Sequence, residues 1–281
     1  MVLAIGSQLA DLGDEDGPDE GDIDQLPHDL TQLQIPEPAH NPGWRFYEVS
    51  KRLLPDIICS SSMTSVQVCL LQGLYLPSTG RRDAGYNLLG LALRMSINMG
   101  LHKLIRSSSL RAHVCELRNR LWWSVYIAER LYSIDMGRPL SINDTEITAP
   151  YPVHMPEWGE EGAKAVYVDG TVAMAKLCRV LGKIIEPVYC DSNSFRSVTI
   201  RPGVLQKLRH ELEQWRSSVP ASVTFDETCP TRPSAHLFMT YEQANILLTR
   251  PCLHMAAIMR QANRTFGNEA SALLGRRPSA V

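Results

Sequence analysis

The sequence predicts an all-α protein, an irregular multi-helix bundle. Three observations carry this. Apolar residues recur at three- and four-residue steps through long stretches, the pattern of a helix with a buried face. No run alternates apolar and polar residues with period two, as a half-buried strand would. Aromatic residues make up 7% of the chain, so Leu, Ala, Met and Val carry the core, a composition that favours helices.

The elements follow in order. Residues 1–42 hold ten Asp or Glu and no Lys or Arg, mixed with Gly and Pro. Such a segment repels itself and buries too little apolar surface to offset its ordering entropy, so it is expected to be disordered. It reads either as an inert solvated tail or, with Leu9, Leu12, Ile23, Leu26 and Leu30 interspersed, as an activation-type segment. The stretch Asp14–Asp19 fails the EF-hand pattern, because Pro18 stands where a ligand belongs and no Glu follows at the twelfth position. From residue 43 to 260 a helical domain is expected, and from 261 to 281 a loose basic tail.

Order begins near Trp44. Residues 45–54 read as a short helix stopped by Pro55. Ser60–Ser62 marks a loop, and Thr64 with Gln67 forms a capping-box pair opening a helix through Val66, Leu70, Leu71, Leu74 and Tyr75. Pro77–Gly80 ends it. Asp83 reads as the N-cap of the next helix, whose face is Tyr86, Leu89, Ala92, Leu93 and Met99. Gly90 inside that helix costs about 1 kcal/mol relative to Ala, which a close helix crossing would explain. Gly100 ends the helix. Ser107–Ser109 is another loop.

The central helix runs from about His113 to Asp135, with Val114, Leu117, Leu121, Val125, Leu131 and Tyr132 on a broad face. Neighbouring Trp122 and Trp123 point about 100° apart, so both rings are buried only if the helix is central to its bundle. Glu116 and Arg120 are four apart and form an i,i+4 pair. Residues 139–163 are irregular. Helical periodicity returns from about Ala163 to Val188, where Pro187 stops it. Pro202 opens a helix to Trp215, ended by Pro220. A Pro-rich linker leads to a last helix from about Ala235, which Pro251 kinks.

Composition and motif exclude most chemistry. No apolar run nears the roughly 20 residues of a membrane span, and the N-terminus has no basic residue ahead of its short apolar run, which makes a poor signal peptide. The seven cysteines show no C-x-x-C spacing, which fits free thiols in a reducing compartment. Net charge is −2. Beyond residue 42 the 28 basic residues exceed 20 acidic ones, too modest an excess for a nucleic-acid stripe. No nucleophile, metal or phosphate-loop motif appears, so an enzyme is not expected. His210 and Glu213 read as a surface pair, and His102 as a cap on the preceding helix end. Arg138, between Gly137 and Pro139, reads as a clamp on the last helical carbonyls or a partner of Asp135 or Asp144; the alternative is an anion or effector contact.

Six segments in order carry a resemblance. They are Thr64–Leu71 (TSVQVCLL), Gly90–Met95 with Met99–His102, Glu116–Ser124 (ELRNRLWWS), Arg130 with Gly137–Pro139, Ile142–Ile147 and Tyr241–Leu253 (YEQANILLTRPCL). Together, over about residues 44–255, they resemble the middle homology region of fungal zinc-cluster transcription factors, the fungal-specific transcription factor domain. Glu129 stands where the family usually has Asp, and Asn119 interrupts its arginine run. The resemblance marks Gln67, Gly90, Arg94, His102, Glu116, Trp122, Trp123, Arg130, Gly137, Arg138, Pro139, Arg250 and Pro251 as signature positions, structural or regulatory.

The resemblance implies a transcription regulator acting in the nucleus, with other transcription factors or co-regulators as partners, a homo- or heterodimer, and a small-molecule effector. The effector is expected in an apolar pocket beside the Trp122–Trp123 helix. The family's zinc sits in a six-cysteine cluster N-terminal to this region. Only Cys59 and Cys69 precede Cys115, so no cofactor is expected in this chain, and DNA contact is expected only through an absent module. The alternative is a truncated interaction partner that dimerises with full-length relatives and modulates them.

Overall fold

A computed structural model of the chain describes residues 43–105, 110–159, 165–189, 202–226 and 231–274. Among these residues all regular structure is helical. Eight α-helices are found: α1 Trp44–Arg52, α2 Leu54–Ile58, α3 Met63–Tyr75, α4 Arg82–Asn98, α5 Ala112–Asp135, α6 Ala165–Tyr189, α7 Pro202–Ser217 and α8 Arg232–Leu274. The helical domain expected over 43–260 divides into two compact units, Met1–Glu161 and Gly162–Val281. The acidic segment 1–42, its calcium-like stretch and the loop at Ser107–Ser109 lie outside the described residues.

In the first unit, α3, α4 and α5 pack together. The α3–α4 crossing is close because two glycines face it. A Cβ on Gly85 would stand 3.0 Å from the Gly73 carbonyl oxygen, and one on Gly73 would stand 2.8 Å from Leu89. Gly90 has open space around its Cβ position, so the close crossing expected there belongs to Gly73 and Gly85. Trp44, Tyr47, Tyr75 and Leu76 form a buried cluster in this unit.

Several helix ends differ from the sequence reading for local reasons. Ser62, not the Thr64–Gln67 pair, caps α3: its Oγ accepts from Ser65 N at 3.1 Å, and Gln67 is exposed. Asp83 is not the cap of α4, which starts at Arg82; Asp83 lies in the first turn. Pro55 sits in the first turn of α2 rather than ending a helix, where its missing N–H has no partner to lose. Pro187 lies inside α6, which runs on to Tyr189. Helix α8 passes through Pro251 and continues to Leu274, beyond residue 260.

Helices α4 and α5 end alike. Gly100 and Gly137 take positive φ, 65° and 61°, which glycine adopts without a Cβ penalty. Leu101 N donates to Ser96 O and Gly100 N to Ile97 O, both at 2.9 Å; Arg138 N donates to Ser133 O at 2.7 Å and Gly137 N to Ile134 O at 3.1 Å. Both are Schellman motifs, which satisfy the last helical carbonyls through the main chain.

In the second unit α6 packs against α7 and α8. Trp215 Nε1 on α7 donates to the Ala173 carbonyl on α6 at 2.9 Å. Thr231 and Ser234 cap α8 reciprocally, each hydroxyl accepting from the other's main-chain N–H, at 3.3 and 3.1 Å.

Candidate functional site

Helix α5 is more polar inside than its pattern suggests. Glu116, Glu129, Arg130 and Ser133 are buried beside Leu121, Trp122, Trp123, Val125 and Tyr126, whereas Leu117, expected on the core face, is exposed. A charge buried without a partner is strongly unfavourable. Each of these polar groups has one, and most lie on the irregular segment after Gly137.

Glu116 Oε1 accepts from Arg120 Nε at 2.7 Å and from Val153 N at 3.0 Å. Arg120 Nη2 donates to the Val153 carbonyl at 2.9 Å, so the pair holds both main-chain groups of Val153. With Glu116 only 3% exposed, the i,i+4 pair expected from the spacing is a buried clamp. Trp123 Nε1 donates to the Pro150 carbonyl at 2.7 Å, and its ring stacks on Tyr151 at 4.5 Å. Arg130 Nη2 donates to Asp144 Oδ1 at 2.7 Å and to the Ile142 carbonyl at 3.2 Å. Tyr126 Oη donates to the same Asp144 oxygen at 2.7 Å. Glu129 Oε1 accepts from Ser133 Oγ at 2.9 Å and Ser141 N at 3.1 Å.

Arg138 meets neither Asp135 nor Asp144. Asp144 is taken by Arg130, and Arg138 Nη2 instead donates to Asp83 Oδ1 at 2.9 Å, with its guanidinium 5.1 Å from the Tyr86 ring. It thus links the end of α5 to the start of α4. Pro139 follows it in the irregular segment. The ring of His102 does not cap α4. It lies 5.7 Å from Trp122, while its carbonyl accepts from Thr148 N and Ala149 N at 2.9 and 3.0 Å. Burial is the main cause that lowers the His102 pKa, with Lys103 adding to it. Arg94 and Arg250 are exposed and Pro251 is half-buried. His210 and Glu213 do not pair with each other: His210 meets Gln214 and Glu213 meets Arg209.

The signature positions Glu116, Trp123, Arg130 and His102 therefore converge on one segment. Gln67, Gly90 and Arg94 do not join them. The sequence reading missed Glu129, Tyr126 and Asp144. Their signal was the three- and four-residue spacing of polar and aromatic residues from Glu116 through Arg120 and Trp123 to Arg130, a stripe a solvated face would not keep buried.

Trp122 and Trp123 are fully buried. An aromatic cleft of about 320 Å³ lies in the second unit, lined by residues that include Trp215, Arg216, Phe225, Leu237, Phe238 and Tyr241. The described cysteines are spread along the chain: Cys69 and Cys178 are buried in α3 and α6, Cys115 is half-buried in α5, and Cys59 and Cys252 are exposed. Among the described residues no three His, Cys, Asp or Glu side chains gather as a metal site, and no helix is long and apolar enough to cross a membrane.

Residues 2–217 match the family described as the fungal specific transcription factor domain. The chain belongs to this family. Family relatives include an uncharacterized transcriptional regulatory protein of Schizosaccharomyces pombe, 38% identical over 220 residues, which cover 77% of this chain and 28% of that protein. The thiamine repressible genes regulatory protein thi1 of the same yeast is 34% identical over 217 residues, 75% of this chain and 28% of its own length. An ABC-transporter-regulating transcription factor of Aspergillus oryzae is 24% identical over 191 residues, 66% of this chain and 21% of its own. The chain thus spans little more than a quarter of the length of the first two. No solved structure matches it.

Proposed function

We propose that this chain is the regulatory body of a transcription regulator. It sets transcriptional output in the nucleus in response to a small effector or a partner regulator. Contact with DNA belongs to the zinc-cluster module that accompanies this domain in the family. The observation that carries the reading is the family match over residues 2–217, together with relatives named as transcriptional regulators.

The side-chain chemistry supports it. Glu116 Oε1, Glu129 Oε1 and Arg130 Nη2 bind main-chain groups and Asp144. Catalytic acids and bases instead face a cleft where substrate sits. Rapid depletion of the protein carrying this chain, followed by transcript profiling, tests the reading. A coherent gene set is expected to change before secondary effects set in, and an unchanged profile would overturn it.

A second reading, an interaction partner of full-length relatives, is favoured by one feature. Met239, Ile246 and Leu253 are exposed at seven-residue steps along α8, which places them on one helix face open to a partner. Sedimentation of the chain alone and with a relative tests it; monomer mass in both cases would sink it.

A further inference from the structure

We infer that the cleft on the second unit is a binding site for a small planar aromatic molecule carrying one anionic group. Four aromatic rings form it. Trp215 and Tyr241 stack at 5.7 Å with 20° between their planes, and Phe225 and Phe238 stack at 4.4 Å with 12° between theirs. Leu237 closes the floor and is 3% exposed. Two of the rings are well buried. The Trp215 indole is fixed by its bond to Ala173, and Tyr241 is 7% exposed. Phe238 keeps 38% of its surface exposed, apolar area that burial against a ligand would remove from water at roughly 25 cal/mol per Å².

The polar group at this site is a cation. The Arg216 guanidinium lies 5.1 Å from the Tyr241 ring centre, and its Nη1 stands 3.5 Å from Tyr241 Oη. Glu242, next to Tyr241 on α8, is the carboxylate whose charge the guanidinium feels. Its donors remain able to take a carboxylate or sulfonate in the two-pronged manner that a guanidinium favours. The other lining polar groups are already used within the fold: Ser234 in the α8 cap and Thr224 on the Pro220 carbonyl. Recognition therefore reduces to a flat apolar body against the open faces and edges of the rings and one negative charge at the rim. A volume of about 320 Å³ is at the small end of ligand clefts, roughly 300–1,000 Å³, which limits the ligand to one or two rings.

This inference depends on the proposed regulatory role only for its consequence in transcription; binding stands by itself. The probes are benzoate, 2-naphthoate and indole-3-acetate, each with its neutral amide, added to the full chain. The readout is the indole ¹⁵N–¹H resonance of Trp215. At least one carboxylate is expected to shift that resonance, and its amide to bind at least tenfold more weakly. Arg216→Gln is expected to remove the distinction between acid and amide, and Phe238→Ala to weaken both; both residues are exposed, so unchanged melting curves certify the fold. No Trp215 shift with any acid up to about 5 mM would overturn the inference. Equal binding of acid and amide to the unaltered chain would overturn it too. A shift at Trp215 with no change in transcript levels would uphold the site and count against the regulatory role instead.

Discussion

Removing the Asp144 carboxylate should destabilise the first unit more than removing its partner. Arg130 is 3% exposed and Asp144 27% exposed. Asp144→Ala leaves a guanidinium that cannot lose its proton, held only by the Ile142 carbonyl at 3.2 Å and the Tyr126 ring at 4.7 Å. It also removes the Asp144 acceptor of the Tyr126 hydroxyl. Breaking a buried pair from one side costs about 3–5 kcal/mol. The two surviving contacts place this case near 3 kcal/mol, or roughly 10–15 °C in melting temperature for a unit of this size.

Arg130→Met removes the charge instead. Asp144 then keeps the Tyr126 hydroxyl at 2.7 Å and reaches water, so the loss is about 1–2 kcal/mol. The double variant holds no buried charge and should melt closer to Arg130→Met than to Asp144→Ala. Tryptophan fluorescence follows the right unit, because Trp44, Trp122, Trp123 and Trp158 all lie in it. An Asp144→Ala melt within about 2 °C of the unaltered chain, on the scale used above, would refute the reasoning. So would an Arg130→Met variant that is the less stable of the two.

Three further outcomes follow. Gly85→Ala should destabilise by about 1–3 kcal/mol through overpacking at the Gly73 carbonyl, whereas Gly90→Ala should be neutral or stabilise by up to about 1 kcal/mol; urea titration compares them. Burial pushes the Cys69 thiol up to about 11. Above the ordinary value of 9.0 the unfolded thiol ionises first, so its contribution to stability is lost as pH rises from there towards 11, and Cys69→Ala should flatten that alkaline limb. Burial lowers the pKa values of His102 and His236. The unfolded state therefore binds more protons below the ordinary value of 6.5, and stability should fall on acidification. Replacing both histidines with Gln should remove that part of the slope.

The helices were legible because period and punctuation agreed. The α5 span expected from His113 to Asp135 is found one residue longer, at Ala112–Asp135, since a broad apolar face begins and Gly137 ends it. Helix ends were less legible where two neighbouring residues could cap. Ser62 wins over Thr64 because its hydroxyl reaches Ser65 N. Gly90 and Gly85 look alike in sequence, and only the path of α3 decides which one faces a neighbour. The division into two units left no local mark, because the residues on either side of Glu161 read as one irregular stretch.

At the candidate site, Glu116, Trp123 and Arg130 stood out as single positions, but their shared target did not. Asp144 and Val153 reach α5 through an irregular segment whose path no periodicity encodes. Arg138 was read towards the acids nearest in sequence, yet it pairs with Asp83, 55 residues away. The aromatic cleft was equally hidden: Trp215, Phe225, Phe238 and Tyr241 come from two helices and a loop, and each alone reads as core.

The regulatory role can be tested most directly by tethering the chain to a reporter promoter through an unrelated DNA-binding domain and measuring transcript against the tether alone. A regulatory body should raise or lower the transcript several-fold, and Asp144→Ala should abolish the effect at equal protein level. Output equal to that of the bare tether, from a folded and nuclear chain, would contradict it.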